Sequence, residues 1–369
     1  MKTVKLPIGP IQLFSLLFQA QFGLGVLSLP HAVDANAGPD GWIACLLCGL
    51  FNCLQLLMIW KLSEQDRSIT VFQMLRRRFG PWLGGLFNAA IAVYSLTICY
   101  ETLVNWVFIS NLWAYENTPA WMLALLLVGV SAYLVAKPIR VFARFAAFAM
   151  AFVPLFIALI CYTLKDAQLD FILPVFSSGL ANIGMGAWSS LMSFAGIGIL
   201  MVLSPGFQMP SKSVLRIAMI TNIAVTAVYM LCAFSTTVIF SSEMIGFIRE
   251  PLLFQFKTIS FKLIDRTDLI VLTIWILFML TTLSTYLLLF ASAVSALSNS
   301  KKESRLPALS VIAIVLVACG AWKLNVSQLT RLQDFIALYV PAAGIGMTLM
   351  MFMMVNLHKW LSGRKGVRT

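Results

Sequence analysis

The sequence predicts an all-α polytopic membrane protein whose ten transmembrane helices form a 5+5 inverted repeat, with helices one and six interrupted. Three observations predict it: the composition, the placing of basic residues between apolar runs, and two glycine-rich interruptions at matching positions. Of the 369 residues 60% are hydrophobic and 11% charged, and the mean hydropathy is +0.91, far above that of a soluble domain of this length. The net charge of +12 does not argue for a nucleic-acid partner, because the Lys and Arg are scattered rather than gathered on one domain. The partner that the composition implies is the lipid bilayer.

Crossing a hydrocarbon core of ~30 Å takes about 20 helical residues. Apolar runs of this kind fall at 10–33, 41–60, 82–112, 119–136, 141–163, 187–205, 214–240, 267–297, 306–321 and 334–358. Charge tests the count. With the N terminus in the cytoplasm, 19 of the 26 Lys and Arg lie on the inner side and 7 in the outer loops, four of them in the loop 241–266. Basic residues resist translocation, so the imbalance fits ten spans with both termini cytoplasmic. Residues 1–369 then form a single transmembrane domain: 1–163 is the first repeat, 187–358 the second and 359–369 a basic cytoplasmic tail. The first run carries Pro30 and His31 and no small-x-small cleavage site, so it reads as a retained helix rather than a cleaved signal.

Two loops have amphipathic patterns. Residues 66–80, with Val71, Met74 and Leu75 beside an Arg triplet, predict a short interfacial helix on the cytoplasmic side. Residues 250–262 begin Glu-Pro and carry Leu252, Leu253, Phe256 and Phe261, which predicts an outer helix packed over the bundle. The seven cysteines lie almost wholly in apolar spans. Cys45 and Cys48 form a C-x-x-C within one membrane helix and lack a second pair, so they read as buried thiols rather than a metal or redox site. His31 and His358 sit far apart, and no nucleophile–base pair or metal-ligand cluster emerges, which gives no ground for an enzyme or a cofactor.

Polar residues inside the membrane are costly and therefore informative. Glu101, in ICYETLVNWVF, is the one acid well inside a span, and at helical spacing it shares a face with Tyr94, Ile98 and Asn105. It reads either as a protonated or hydrogen-bonded packing residue or as a proton-sensitive, gating carboxylate beside a cavity. In the eighth span Thr281, Thr285, Leu288, Ser292 and Ser295 follow three-four spacing, with Thr282 and Ser284 adjacent. That stripe serves either close helix packing or a ligand.

The interruptions themselves are FGLGVLSLP (Phe22–Pro30) and FAGIGILMVLSP (Phe194–Pro205). They open the first and sixth spans, and because five is odd the second half enters from the opposite side. Paired Gly/Pro-interrupted segments in corresponding positions of two inverted halves point to a midplane binding site. Unwinding frees N–H and C=O groups that lipid cannot satisfy. Freed donors suit a carboxylate and freed carbonyls an ammonium, so a zwitterionic amino acid fits. The alternative is glycine serving only close helix crossing.

FGLGVLSLP followed by AGPDGWIA (Ala37–Ala44), the Tyr-Glu of span three and SFAGIGILMVLSP of span six resemble the B subunit of spore germinant receptors. That family is a branch of the amino acid–polyamine–organocation superfamily with the LeuT-type fold. The resemblance runs through nearly the whole chain. It implies an inner-membrane subunit of the spore that senses a small nutrient germinant, an amino acid or sugar, beside an A subunit and a lipoprotein C subunit. It implies germinant contacts at Gly23, Leu24 and Gly25, at Tyr94, at Gly196, Ile197 and Gly198, and at Thr281 and Thr282, with Glu101 as the proton-sensitive acid. Val26, Ile98, Ile197 and Ile199 would give the pocket an apolar lining. Some members carry an acid in the sixth-span break where this chain has Gly198, so the ligand chemistry at that point differs. Two further readings stand beside this one: a proton-coupled amino acid permease, and an assembly subunit with a vestigial cavity.

Overall fold

The computed structural model describes residues 8–261, 265–297, 306–320 and 326–365. In lipid an apolar run can satisfy its backbone only within itself, which makes it helical, and among the described residues helices dominate. In chain order they are α1 (Pro10–Gln21), α2 (Leu29–Ala37), α3 (Gly41–Ser63), α4 (Val71–Trp113), α5 (Ala120–Ala136), α6 (Ile139–Met150) and α7 (Val153–Thr163). Next come α8 (Gly179–Ser190) and the four-residue α9 (Leu200–Leu203), flanked by 3-10 turns at Ile197–Ile199 and Ser204–Gly206. The series ends with α10 (Ser211–Ile245), α11 (Pro251–Lys257), α12 (Thr267–Leu297), α13 (Leu306–Gly320) and α14 (Val326–Lys365).

Among the described residues six helical stretches are long and apolar enough to cross a membrane: Leu29–Ser63, Val71–Trp113, Ile139–Asp166, Ser211–Ile245, Thr267–Leu297 and Ser327–Trp360. The chain is a multi-pass membrane protein. The first and sixth expected spans are each broken into two pieces, α1 with α2 and α8 with α9, as the glycines and prolines predict. Span five is also divided, at Ala151–Phe152, where Pro154 enters the first turn of α7. The heart of the bundle is α12. Every residue from Phe278 to Leu289 is buried, and α4 lies along it.

The segment predicted to lie in the interface is the start of α4. Thr70 caps it: its hydroxyl accepts from Gln73 N and the Gln73 side chain accepts from Thr70 N, both at 3.3 Å. Val71, Phe72, Met74 and Leu75 are all buried, so this face packs on the bundle. The helix kinks at Gly80 (φ 76°), just before Pro81. Asn88 Nδ2 then reaches back to Phe72 O at 3.1 Å. Arg76 donates to the carbonyls of Ala296 and Leu297 at the end of α12, where a cation complements the helix terminus. In the segment expected as an outer helix, α11 buries Leu252, Leu253 and Phe256, while Phe261 is exposed; residue 262 lies outside the described residues.

The PDGW turn between α2 and α3 has a structural task of its own. Asp40 is fully buried, and its two carboxylate oxygens accept the N–H groups of Phe176 at 2.8 Å and Ser178 at 3.0 Å. Ser178 Oγ in turn donates to Ala37 O at 2.6 Å. These bonds fasten the head of α8 to the foot of α2, joining the two broken helices on one side of their breaks. Hydrogen bonds to a buried charge contribute about 1.5–3 kcal/mol each. Asp40→Ala is therefore expected to lower unfolding free energy in detergent by roughly 2–4 kcal/mol. Asp40→Asn, which keeps one acceptor oxygen, costs less; equal losses for the two variants would count against the paired-acceptor account.

Candidate functional site

The first break runs from Phe22 to Ser28, between the end of α1 and the start of α2. Its exposed carbonyls are met by side chains from other helices. Trp275 Nε1 of α12 donates to Gly23 O at 3.0 Å, Tyr229 OH of α10 to Gln21 O at 2.6 Å, and Thr282 Oγ1 of α12 to Gln19 O at 3.3 Å. Gly25 O accepts from Leu29 N at 2.7 Å, which starts α2. Among the described residues no acceptor meets the amide groups of Gly23 to Ser28. A Cβ on Gly23 would collide with Thr282 Oγ1, and one on Gly25 with Ser193 Oγ. Both glycines thus let the break lie directly against α12 and the sixth-span break.

The second break lies between Ser190 and the 3-10 turn at Ile197. Gly196 has φ 130°, a conformation closed to other residues, and a Cβ there would run into the backbone carbonyl of Ala20 in α1. The two breaks therefore cross in contact, Gly25 on Ser193 and Gly196 on Ala20. Gly198 differs: its φ is ordinary, and the nearest atom to an added Cβ is Leu289 Cδ1 at 3.7 Å.

Beside the second break is a cavity of about 80 Å³ between α3, α4, α12 and α14. Asn52, Tyr94, Ser95, Gly198, Tyr286 and Thr348 contribute to its wall, the rest is mostly Ile, Leu and Met, and among the described residues no charged side chain lines it. The Tyr94 hydroxyl lies against Gly344 of α14, and the rings of Tyr94 and Tyr286 meet edge to face at 6.4 Å. Ser95 Oγ is buried and has no partner among the described residues. Asn52 links the cavity to the first break: its Nδ2 donates to Gln21 Oε1 at 2.9 Å and to Asn222 Oδ1 at 2.7 Å. Asn222 Nδ2 donates onward to Gly49 O at 2.9 Å. The polar groups here are neutral amides, hydroxyls and backbone.

Of the residues singled out in the sequence, Tyr94, Gly196, Ile197 and Gly198 border this cavity. Gly23, Leu24, Gly25 and Val26 form the first break, buried behind it, and Thr281 and Thr282 bond to Gln19 and to Phe278 O. Ile98 is core. Glu101 is 8% exposed and lies away from the cavity wall, with Oε2 unpartnered among the described residues. Asn52, Gln55, Ser95, Tyr286 and Thr348 were missed. Asn52 and Gln55 had a signal, since they are polar residues mid-way along an apolar run; Tyr286 had none beyond its place beside Thr285. Asn105 belongs elsewhere. Its Oδ1 accepts from Gln333 Nε2 at 3.1 Å, and Gln333 Oε1 accepts from Arg249, whose guanidinium lies 5.0 Å from the Phe108 ring and 3.3 Å from Glu250 Oε1. Glu250 heads α11, outside the spanning helices. Burial pushes its carboxyl up to about 7, with Arg249 pulling the other way.

Two expectations follow from this geometry. Gly196→Ala should abolish correctly folded protein, judged by gel filtration in detergent, because both its φ and the Ala20 carbonyl oppose a Cβ. Gly198→Ala should fold with unfolding free energy within about 1 kcal/mol of wild type. For Glu250 the folded chain holds a proton more tightly than the unfolded one, so its contribution to stability falls as pH rises from about 4.5 to about 7 and is level above. Glu250→Gln should remove that dependence: melting curves at pH 5 and pH 8 should differ between wild type and variant by roughly 1–3 kcal/mol, with wild type losing the more on going to pH 8.

The comparisons agree with this architecture. A family model described as "Spore germination protein" matches residues 7–321. The chain is similar to Spore germination protein GerQB of Bacillus cereus, at 23% identity over 313 residues, 85% of this chain and 86% of that protein. It is similar to Spore germination protein A2 of Bacillus subtilis (strain 168), at 22% over 364 residues, 97% of this chain and 98% of that one. Among solved structures, MhsT in complex with L-phenylalanine superimposes with a TM-score of 0.69 at 14% identity, over 92% of this chain and 88% of that chain. That likeness gives the LeuT-type transporter fold.

Proposed function

The chain belongs to the spore germination protein family, the spore permeases, and from that premise we propose that it is the ligand-binding membrane subunit of a spore germinant receptor. Its ligand is a small nutrient, an amino acid above all, held at the midplane where the broken first and sixth helices cross. It sits in the spore inner membrane with both termini cytoplasmic, beside an A subunit and a lipoprotein C subunit. Residues 1–163 and 187–358 act as the two inverted repeats and 359–369 as a basic cytoplasmic tail.

The observation that carries this reading is the cavity at the sixth-span break, neutral, lined by Tyr94, Gly196, Ile197 and Gly198 and tied through Asn52 to the first break. The fold supports it, because the similar structure of MhsT was solved with an amino acid. A zwitterion needs donors for its carboxylate, and the amides of Gly23 to Ser28 ahead of α2, which lie behind the cavity wall, would supply them without a charged side chain once that wall opens toward the first break. Apolar packing from Ile197, with Ile59, Ile91 and Leu289 in the same wall, favours a ligand of modest size; Val26, Ile98 and Ile199 are buried outside that wall. Thr281 and Thr282 support the first break from behind. Binding then biases a two-state bundle through differential affinity for its conformations, and no bond in the ligand is made or broken.

A second reading, a proton-coupled amino acid permease, is favoured by Glu101. A buried carboxyl with an unpartnered oxygen suits a proton carrier better than a packing residue. The two readings separate in proteoliposomes. Radiolabelled amino acids and sugars should bind saturably to wild type, and Gly198→Trp, which fills the cavity, should weaken that binding at least tenfold. Binding untouched by Gly198→Trp would remove the site from the cavity. Uptake driven by a pH gradient and lost in Glu101→Gln would favour the permease.

A further inference from the structure

One side chain that the proposed binding reaction does not use touches both breaks. Tyr229, near the middle of α10, is wholly buried. Its hydroxyl lies 2.6 Å from Gln21 O, the last residue of α1, and 3.0 Å from Ser193 O, in the sixth-span break. A phenol carries one proton, so the two carbonyls share a single donor. Both are carbonyls that a continuous helix would have satisfied for itself.

The ring repeats the arrangement. Its centroid is 5.8 Å from that of Phe22 and 4.9 Å from that of Phe194. These are the first residues of FGLGVLSLP and FAGIGILMVLSP, the two matched interruptions. Tyr229 thus stands between equivalent points of the two breaks, bonded to a carbonyl and packed on an aromatic of each. Trp275 makes a useful contrast, since it reaches a carbonyl of the first break only.

We propose that Tyr229 is a positioning residue that couples the two helix breaks, its hydroxyl holding the carbonyls of Gln21 and Ser193 at one point. Neither break can then open without disturbing a bond that the other shares. Local opening of the backbone at one break loosens the other, and a ligand that orders the sixth-span break also orders the first. Only this last step rests on the germinant-receptor reading. The coupling itself does not.

The test is amide hydrogen exchange on the full-length protein in detergent, followed by mass spectrometry on peptides covering 19–28 and 190–199, with no ligand added. Tyr229→Phe keeps the ring and removes the hydroxyl. A lost buried hydrogen bond implies faster exchange by about fivefold or more, and it is expected in both peptides. Trp275→Phe is expected to accelerate the 19–28 peptide alone. A merely packing role for Tyr229 leaves both peptides unchanged in Tyr229→Phe, and an effect confined to one peptide means that the breaks are independent; either result overturns the proposal. Should Tyr229→Phe fail to accumulate, wild type decides the question: under conditions of slow reclosing the two peptides must open at the same rate, and unequal rates overturn it. A second readout is the nutrient-broth dose at half-maximal response of spores carrying Tyr229→Phe, expected to rise at least fivefold. Changed exchange with an unchanged dose would instead sink the link to ligand sensing while leaving the coupling intact. The absence of any nutrient response in wild type would fault the receptor reading alone.

Discussion

Backbone amides and carbonyls released by a helix break inside a bilayer have no water to turn to, and that constraint organises the interior of this protein. The first break leaves the carbonyls of Gln19, Gln21 and Gly23 in need of donors. The donors come from Thr282, Tyr229 and Trp275, which lie on α12 and α10. Those two helices are thereby drawn against α1, and the glycines at 23 and 25 follow, because no side chain fits between the surfaces. Broken helices are tolerable here because their neighbours complete them.

The same economy governs the polar groups. Gln21, Asn52 and Asn222 form a chain of neutral amides that ends on the backbone carbonyls of Leu17 and Gly49, and among the described residues no charged side chain lines the cavity beside them. Amides satisfied by one another avoid the desolvation cost of ions in a low-dielectric interior. Among the described residues the ion pairs lie near helix ends, Arg249 with Glu250, Arg266 with Asp268 and Arg67 with Glu64, and the Asp40 carboxyl oxygens accept two backbone N–H groups.

Glycines that look alike in the sequence differ in what they do. Gly196 has a backbone conformation and a neighbour that no other residue tolerates. Gly23 and Gly25 permit close approach. Gly198 has an ordinary conformation and room before Leu289, so nothing in the fold requires glycine there. A side chain at position 198 could therefore enter the cavity without disturbing the backbone.

The sequence by itself determined the membrane class, the positions of nearly all the helices and the two interruptions, because hydropathy and helix-breaking residues act over a few turns of chain. It also marked Tyr94 and Gly196 to Gly198 for the cavity, through a polar stripe and a glycine motif. Only the tertiary structure decided that the first break is sealed by Trp275, Tyr229 and Thr282, that Asn52 and Ser95 face the cavity while Glu101 does not, and that Asn105 serves Gln333. The reason is physical. A hydroxyl or an indole N–H has the same local signature whether it faces lipid, a neighbouring helix or a cavity. What distinguishes those fates is a partner 31 to 263 residues away, which no window of local sequence contains.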